Sequence, residues 1–254
     1  MFFFYNLQVV YLELVPREKL SFIQDAEKYI KKYSLEGINV PHISRVSLNS
    51  YQAAHMLLDK NLLCIPHIKA NFASKKDHIS MIRNLVEKGL SKVLVVSGDI
   101  PSNLKNNYDT SAIDLIKIIK LEFPSLKVFA AFDPYRTSLI KEFEYTDQKR
   151  AAGVDGFFSQ PFFDLRFLEF CLDYFRSDLF FAGISPVISS SSQVYWQQRN
   201  KVFFPNEFSL DLDFNIVFGK KVINLTKKYE QNIYLMPIKV DIDAYLQGIF
   251  KTPS

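Results

Sequence analysis

The chain has 254 residues, 48% of them hydrophobic and 23% charged, which is the composition of a globular protein. Its 31 basic and 27 acidic residues give a net charge of +4 without any dense Lys/Arg tract, so the sequence gives no support for nucleic-acid binding. The absence of any run of about 18 apolar residues predicts no transmembrane helix and no membrane partner.

Two further features bear on the compartment. Cys64 and Cys171 lack the spacing of a metal site, and two isolated cysteines are typical of a reducing environment. The apolar start of the chain has no basic residues and is soon interrupted by Glu13, so it does not have the pattern of a targeting segment. We therefore expect a cytoplasmic protein.

The first half of the chain predicts four strands with helices between them. The strands cover residues 8–15, 38–40, 62–65 and 93–96, with the third closing at Pro66-His67. The helices cover residues 19–32, 51–58 and 75–88, and Gly37 and Gly89 end the first and third of them.

The second half continues the alternation. Strands are predicted over residues 127–132, 156–160, 179–184 and 233–238, and helices over residues 111–123, 139–152, 165–175 and 241–250, with further helix beginning in 189–198 and lying within 208–229. Eight strands alternating with helices over this length predict a closed (β/α)8 TIM barrel, a single α/β domain covering residues 1–254, although two small domains would also fit the length.

The fourth strand carries the most informative turn. Four apolar residues lead into Ser97-Gly98-Asp99-Ile100-Pro101, so Asp99 follows a strand that is buried on both faces. Ligands of parallel α/β folds bind at this end of the strands. The alternative is that Asp99 caps local backbone amides in an ordinary turn.

Other polar residues follow the remaining strands and would converge with Asp99 in a barrel. There is no glycine-rich nucleotide motif, no zinc-protease motif and no nucleophile elbow, and the spacing of Glu13, His42, His67 and Asp99 gives no direct support for a metal site. We therefore predict no metal. The strand-end residues are Glu13, Asn39, His42, His67, Asp99, Asp133, Arg136, Gln160, Ser185 and Lys239.

Several of these residues lie in motifs that resemble the methylenetetrahydrofolate reductase family over most of the chain. The most specific is the block Ser159-Gln160-Pro161-Phe162-Phe163-Asp164, with Lys149 at the family's distance upstream. The others, in chain order, are Leu12-Glu13-Leu14-Val15-Pro16, Pro66-His67, Ser97-Gly98-Asp99-Ile100-Pro101, Ala130-Ala131-Phe132, Ala152-Gly153 and Gly183-Ile184-Ser185-Pro186-Val187.

The resemblance implies a (β/α)8 barrel that binds FAD, takes a hydride from NADH or NADPH, and reduces 5,10-methylenetetrahydrofolate to 5-methyltetrahydrofolate. It implies a small-molecule folate partner, and a homo-oligomer is compatible with it. The implied catalytic residues are Glu13 and Asp99, and the implied substrate-binding residues are Asp99, Gln160 and Phe163. The implied cofactor-binding residues are His67, Gly98, Asp99, Ala131, Phe132 and Lys149. Arg136 is added as a cofactor-binding residue from its position and charge alone, since it could replace the family's histidine and contact a pyrophosphate.

Each role has a structural alternative. Glu13, between Leu12 and Leu14, is expected to have its pKa raised by desolvation and to act as a general acid, but it could instead be a salt-bridged barrel glutamate. Asp99 would stabilise a cationic iminium by its fixed charge. Gln160 would bind the pterin or nicotinamide, or bond a neighbouring strand. His67 could equally be a core histidine. Without the resemblance, Lys149 would be interpreted as an ordinary solvated lysine on a helix.

The chain departs from the family pattern at Ser97, Ser111, Asp133 to Arg136, and the segment from Asn39 to His42. Several of these positions touch flavin in the family. Two other functions therefore stay open: a folate- or flavin-binding homologue that lost turnover or serves as a subunit of a complex, and another one-carbon enzyme such as a methyl-transfer module.

Overall fold

The computed structural model describes residues 8–98 and 108–251. Eight strands and nine α-helices lie in those ranges. The strands are β1 (Val10–Glu13), β2 (Gly37–Val40), β3 (Cys64–Lys69), β4 (Lys92–Val96), β5 (Lys127–Phe132), β6 (Gly156–Pro161), β7 (Phe180–Ile184) and β8 (Asn232–Leu235). The helices are α1 (Lys19–Tyr33), α2 (Ser50–Leu58), α3 (Lys75–Val86), α4 (Ala112–Glu122), α5 (Leu139–Ala151), α6 (Leu165–Tyr174), α7 (Ser190–Asn200), α8 (Leu212–Lys228) and α9 (Ile242–Phe250).

The strands form a closed barrel in sequence order, and every neighbouring pair is parallel, including β1 with β8. This confirms the predicted TIM barrel. The closure buries both faces of each strand, which explains why the strand sequences are nearly continuous apolar runs. None of the helices in the described ranges is long and apolar enough to cross a membrane.

The inside of the barrel is filled by an aromatic layer. Tyr11, Phe129, Phe158, Phe181 and Tyr234 pack there with three aliphatic side chains, Ile65, Leu94 and Met236. Because strand side chains alternate, the residues on either side of these positions point outward to the helices. The barrel is therefore closed below by packed rings, and a ligand can enter only above them.

The third strand is longer than predicted. It continues through Pro66 and His67 to Lys69, whereas we expected it to close at Pro66-His67. Pro66 lies opposite Val40, the last residue of β2, so the neighbouring strand does not continue past the proline. Beyond that point β3 pairs only with β4, from His67 to Lys69. His67 is consequently a barrel residue and not a loop residue.

Candidate active site

The alternation of side chains determines which residues surround the mouth of the barrel. The side chain two residues after each member of the aromatic layer again points into the barrel, at the carboxyl end of the strand. Residues in these positions include Glu13 of β1, His67 of β3, Val96 of β4, Ala131 of β5 and Gln160 of β6. The structure therefore brings together four of the residues implied by the family resemblance, Glu13, His67, Ala131 and Gln160.

Glu13 belongs to a partly buried polar network at the barrel mouth. The hydroxyl of Tyr234 donates a hydrogen bond to Glu13 Oε2, and His67 Nε2 lies 3.5 Å from the same hydroxyl. Burial raises the pKa of Glu13 to about 7, against the opposing effect of the Tyr234 hydrogen bond. Burial and the nearby His42 lower the pKa of His67 to about 3, so its imidazole is neutral at physiological pH. The network holds a carboxyl group that can give or take a proton near neutral pH.

Asn39 adds a second buried polar group on β2. Its side chain is fully buried, and neither its Oδ1 nor its Nδ2 has a hydrogen-bond partner in the part of the chain that the structure describes. Its amide is close enough to the Tyr234 hydroxyl to lower the pKa of that hydroxyl, which burial raises overall. An amide left in this state within the barrel is unusual, because a buried polar group without a partner costs free energy.

A cavity of about 330 Å³ opens beside the ends of β3, β4, β5 and β6, and we call it the β3–β6 cavity. It has basic, acidic and neutral polar groups in its wall. Three of its side chains are cationic and two are acidic, which favours an anionic ligand. The polar and glycine lining residues are His42, Lys69, Ser97, Gly98, Asp133, Arg136, Glu142, Lys149 and Gln160, with Val95, Val96, Ala112 and Ala131 as the apolar part.

Glu142 links two of these cations. Its side chain is buried, accepts a hydrogen bond from Arg136 Nη2 at 2.7 Å, and lies 3.4 Å from Lys149 Nζ. Lys149 also donates to the carbonyl oxygen of Ala131 at 2.7 Å. Burial lowers the pKa of Lys149 to about 8, although Glu142 acts in the opposite direction. Lys149 is thus a buried cavity residue and not a solvated helix lysine, and the sequence reasoning missed Glu142.

Gly98 forms a turn at the edge of the β3–β6 cavity. Its backbone has φ +87, and a Cβ atom there would collide with Asn71 Oδ1 and lie 2.6 Å from Cε and Cγ of Lys69. Only glycine accepts both the left-handed conformation and this close approach. The turn predicted from the sequence is therefore present as far as Gly98. Asp99, the next residue and an expected catalytic, substrate-binding and cofactor-binding residue, lies outside the described residues.

Two expected site residues are placed elsewhere. Phe132 is fully buried, and its ring packs 4.8 Å from that of Phe175, because alternation along β5 turns this side chain out toward the helices. Phe163 packs against Trp196, Phe204 and Phe208 in a separate aromatic cluster. The side chains of Phe132 and Phe163 therefore do not line the β3–β6 cavity.

Glu13 opens to a second cavity of about 330 Å³, formed between the ends of β8 and β1. Met236, Lys239 and Arg17 also line it. The carboxyl group and the cationic cluster thus belong to different parts of the mouth. The arrangement puts a carboxyl group with a raised pKa on one side of the mouth and a wall with three cations on the other.

One known protein family matches most of the chain. The family described as methylenetetrahydrofolate reductase matches residues 24–217, which include β2 to β7 and the whole lining of the β3–β6 cavity. The chain belongs to the methylenetetrahydrofolate reductase family. Glu13 and Tyr234 of this methylenetetrahydrofolate reductase family member lie outside the matched range. Their contact at the barrel mouth is therefore known from the structure alone.

No curated protein matches the chain. Among solved structures, oxaloacetate acetylhydrolase aligns with a TM-score of 0.61 at 10% identity, covering 94% of this chain and 78% of that one. The Bacillus cereus spore cortex-lytic enzyme SleL aligns with a TM-score of 0.60 at 12% identity, covering 96% and 74%. Yersinia pestis DHPS with a pterine–sulfa conjugate aligns at 0.55 and 10%, covering 95% and 91%. At these identities the likeness concerns the barrel fold alone.

Proposed function

We propose that the protein is a flavin-dependent reductase that converts 5,10-methylenetetrahydrofolate to 5-methyltetrahydrofolate, with NADH or NADPH as the hydride donor. Membership of the family supports a folate-related reductase in general. The observation that carries the specific reaction is Glu13, a half-buried carboxyl group at the barrel mouth whose desolvated surroundings raise its pKa to about 7. This reaction needs such an acid, because the folate ring opens only when one of its nitrogens is protonated.

The residues of the β3–β6 cavity fit FAD in their chemistry. FAD is an anionic dinucleotide, and Lys69, Arg136 and Lys149 give the cavity wall three cations. Gly98 borders the same cavity in a turn whose positive φ suits glycine. Arg136 and Lys149 would hold the diphosphate. When bound, FAD supplies the hydride transfer between nicotinamide and folate.

Glu13 gives the proton in this proposal, and Tyr234 determines how it is held. Because the Tyr234 hydroxyl donates to Oε2, the carboxylic acid proton is left to the other oxygen of Glu13. With its pKa near 7, the carboxyl group is about half protonated at neutral pH and can act as a general acid there. Gln160, at the edge of the β3–β6 cavity, would bind the pterin through an amide that both donates and accepts.

The proposal is tested by the visible spectrum and by two half-reactions. The purified protein should retain added FAD through gel filtration and show the flavin absorbance bands. In stopped-flow experiments NADH or NADPH should reduce the flavin, and 5,10-methylenetetrahydrofolate should reoxidise it. A protein that retains no FAD, or a reduced flavin that the folate does not reoxidise, would refute the proposal.

The pH dependence of the folate half-reaction should report on Tyr234. A general acid must be protonated, so the wild-type rate should fall as the pH rises through about 7. In Tyr234→Phe the hydrogen bond that lowers the pKa of Glu13 is lost, and the falling limb should move about one unit to higher pH. The measurement is the stopped-flow rate of flavin reoxidation at roughly pH 5.5 to 9, a range that includes the expected pKa of Glu13 in both proteins.

Tyr195→Phe is the matched control for this prediction. Tyr195 lies on α7 with half of its surface exposed, so removing its hydroxyl should leave the profile unchanged. An unchanged profile in Tyr234→Phe would show that the tyrosine does not act on the catalytic carboxyl group.

A further inference from the structure

His42 is a lining residue of the β3–β6 cavity that the proposed mechanism does not use. It follows β2 and lies near the start of α2, where its ring packs 4.2 Å from the ring of Phe72. It stands in the segment where the chain departs from the family pattern. Its hydrogen bonds assign its tautomer.

The assignment begins with Ser50, the first residue of α2. Its hydroxyl donates to the backbone carbonyl oxygen of His67 at 2.6 Å, and this bond takes the only hydrogen of the hydroxyl because a carbonyl oxygen cannot donate. His42 Nδ1 lies 3.0 Å from the same Ser50 oxygen. The hydrogen in this second bond must come from the imidazole, so Nδ1 of His42 is protonated.

The other ring nitrogen is therefore a lone-pair acceptor. Burial, with the nearby charges of Lys69 and His78, lowers the pKa of His42 to about 4, so the ring carries one proton at neutral pH. That proton is on Nδ1. Among the residues that the structure describes, no group hydrogen-bonds to Nε2.

The other charged residues of the cavity offer a ligand mainly hydrogen-bond donors, which Nε2 of His42 complements as an acceptor. Lys69, Arg136 and Lys149 are donors only, and the carboxylate of Glu142 is already engaged by two of them. The carboxylate of Asp133 accepts the backbone N–H of Tyr135. His42 thus adds a neutral acceptor, besides those of Gln160 and Ser97, to a wall that also carries three cations.

We propose that His42 is a ligand-binding residue whose Nε2 accepts a hydrogen bond from an N–H or O–H group of FAD in the β3–β6 cavity. The proposal rests on the proposed function, which supplies FAD as the ligand. FAD carries both kinds of group that the wall requires, an anionic diphosphate and neutral donors on its ring and its ribityl chain. A ligand with the phosphates alone would leave the His42 acceptor unused.

Two amide substitutions separate the two nitrogens of His42. In His42→Asn the short amide can reach the position of Nδ1 and keep the bond to Ser50, but nothing replaces Nε2. In His42→Gln the longer amide can bring its carbonyl oxygen to the position of Nε2. We expect His42→Asn to weaken FAD binding about tenfold or more and His42→Gln to stay within about threefold of wild type. The dissociation constants are measured by flavin fluorescence, and urea unfolding checks that both variants remain folded.

The results distinguish this proposal from the proposed function. If wild type binds FAD but His42→Asn binds it equally well, or His42→Gln is as weak as His42→Asn, the role of His42 is refuted and the reductase proposal stands. If wild type binds no FAD, both proposals fail. Nitrogen NMR of the four labelled histidines in the FAD-free protein gives a separate reading, and a His42 protonated on Nε2 would overturn the assignment whatever the protein binds.

Discussion

Replacing Glu13 with glutamine is expected to slow the reoxidation of reduced flavin by 5,10-methylenetetrahydrofolate by about 10²-fold or more, the usual contribution of a general acid. The glutamine carbonyl can still accept the hydrogen bond of Tyr234, so the network should keep its shape while it loses its acidic proton. Reduction of the flavin by NADH or NADPH should remain near the wild-type rate, because that step needs no acid at the folate. Stopped-flow absorbance of the two half-reactions gives both rates.

Glu18→Gln is the control for this experiment. Glu18 precedes α1, is exposed and makes no side-chain cap, so it tests the loss of one acidic side chain near the same end of the barrel. Both half-reactions of this variant should match wild type. A Glu13→Gln protein whose folate half-reaction is as fast as that of wild type would remove Glu13 from the mechanism.

The sequence was sufficient to predict where Glu13 and Gln160 lie. Each follows a recognisable strand, and the carboxyl ends of parallel strands meet at one end of a barrel. The predicted effect of burial on the pKa of Glu13 is also confirmed, since two apolar neighbours indicated its environment. Strand alternation also places Ala131 and Phe132 on opposite faces of β5, and the Phe132 side chain lies on the helix side.

The partners of these residues could not be predicted. Lys149 and Glu142 are charged residues on a largely polar helix, and only the packing of α5 against β5 shows that both are buried. Tyr234 is an ordinary strand tyrosine in the sequence, separated from Glu13 by more than 200 residues, and barrel closure between β8 and β1 brings them together. Contacts of this kind depend on closure and helix packing, which local patterns do not encode.

Replacing Phe158 with alanine is expected to lower the free energy of unfolding by about 3–5 kcal/mol, the usual cost of truncating a buried phenylalanine. Phe158 is 1% exposed and lies at the centre of the aromatic layer. Its ring stacks on Phe181 with centroids 4.1 Å apart and makes edge contacts with Phe129 and Tyr234. The surrounding strands are joined in a closed barrel and cannot move together to fill the space. Urea unfolding followed by circular dichroism measures the change.

Phe170→Ala is the matched control, because the same atoms are removed from a side chain on α6 that is 55% exposed. Its cost should be no more than about 1 kcal/mol, in keeping with a partly exposed site. The comparison also bears on the site above the layer, since Phe158 supports the ring of Tyr234, and Tyr234 holds Glu13. A Phe158→Ala protein that unfolds at the same urea concentration as Phe170→Ala would show that the ring layer does not stabilise the barrel floor on which this network rests.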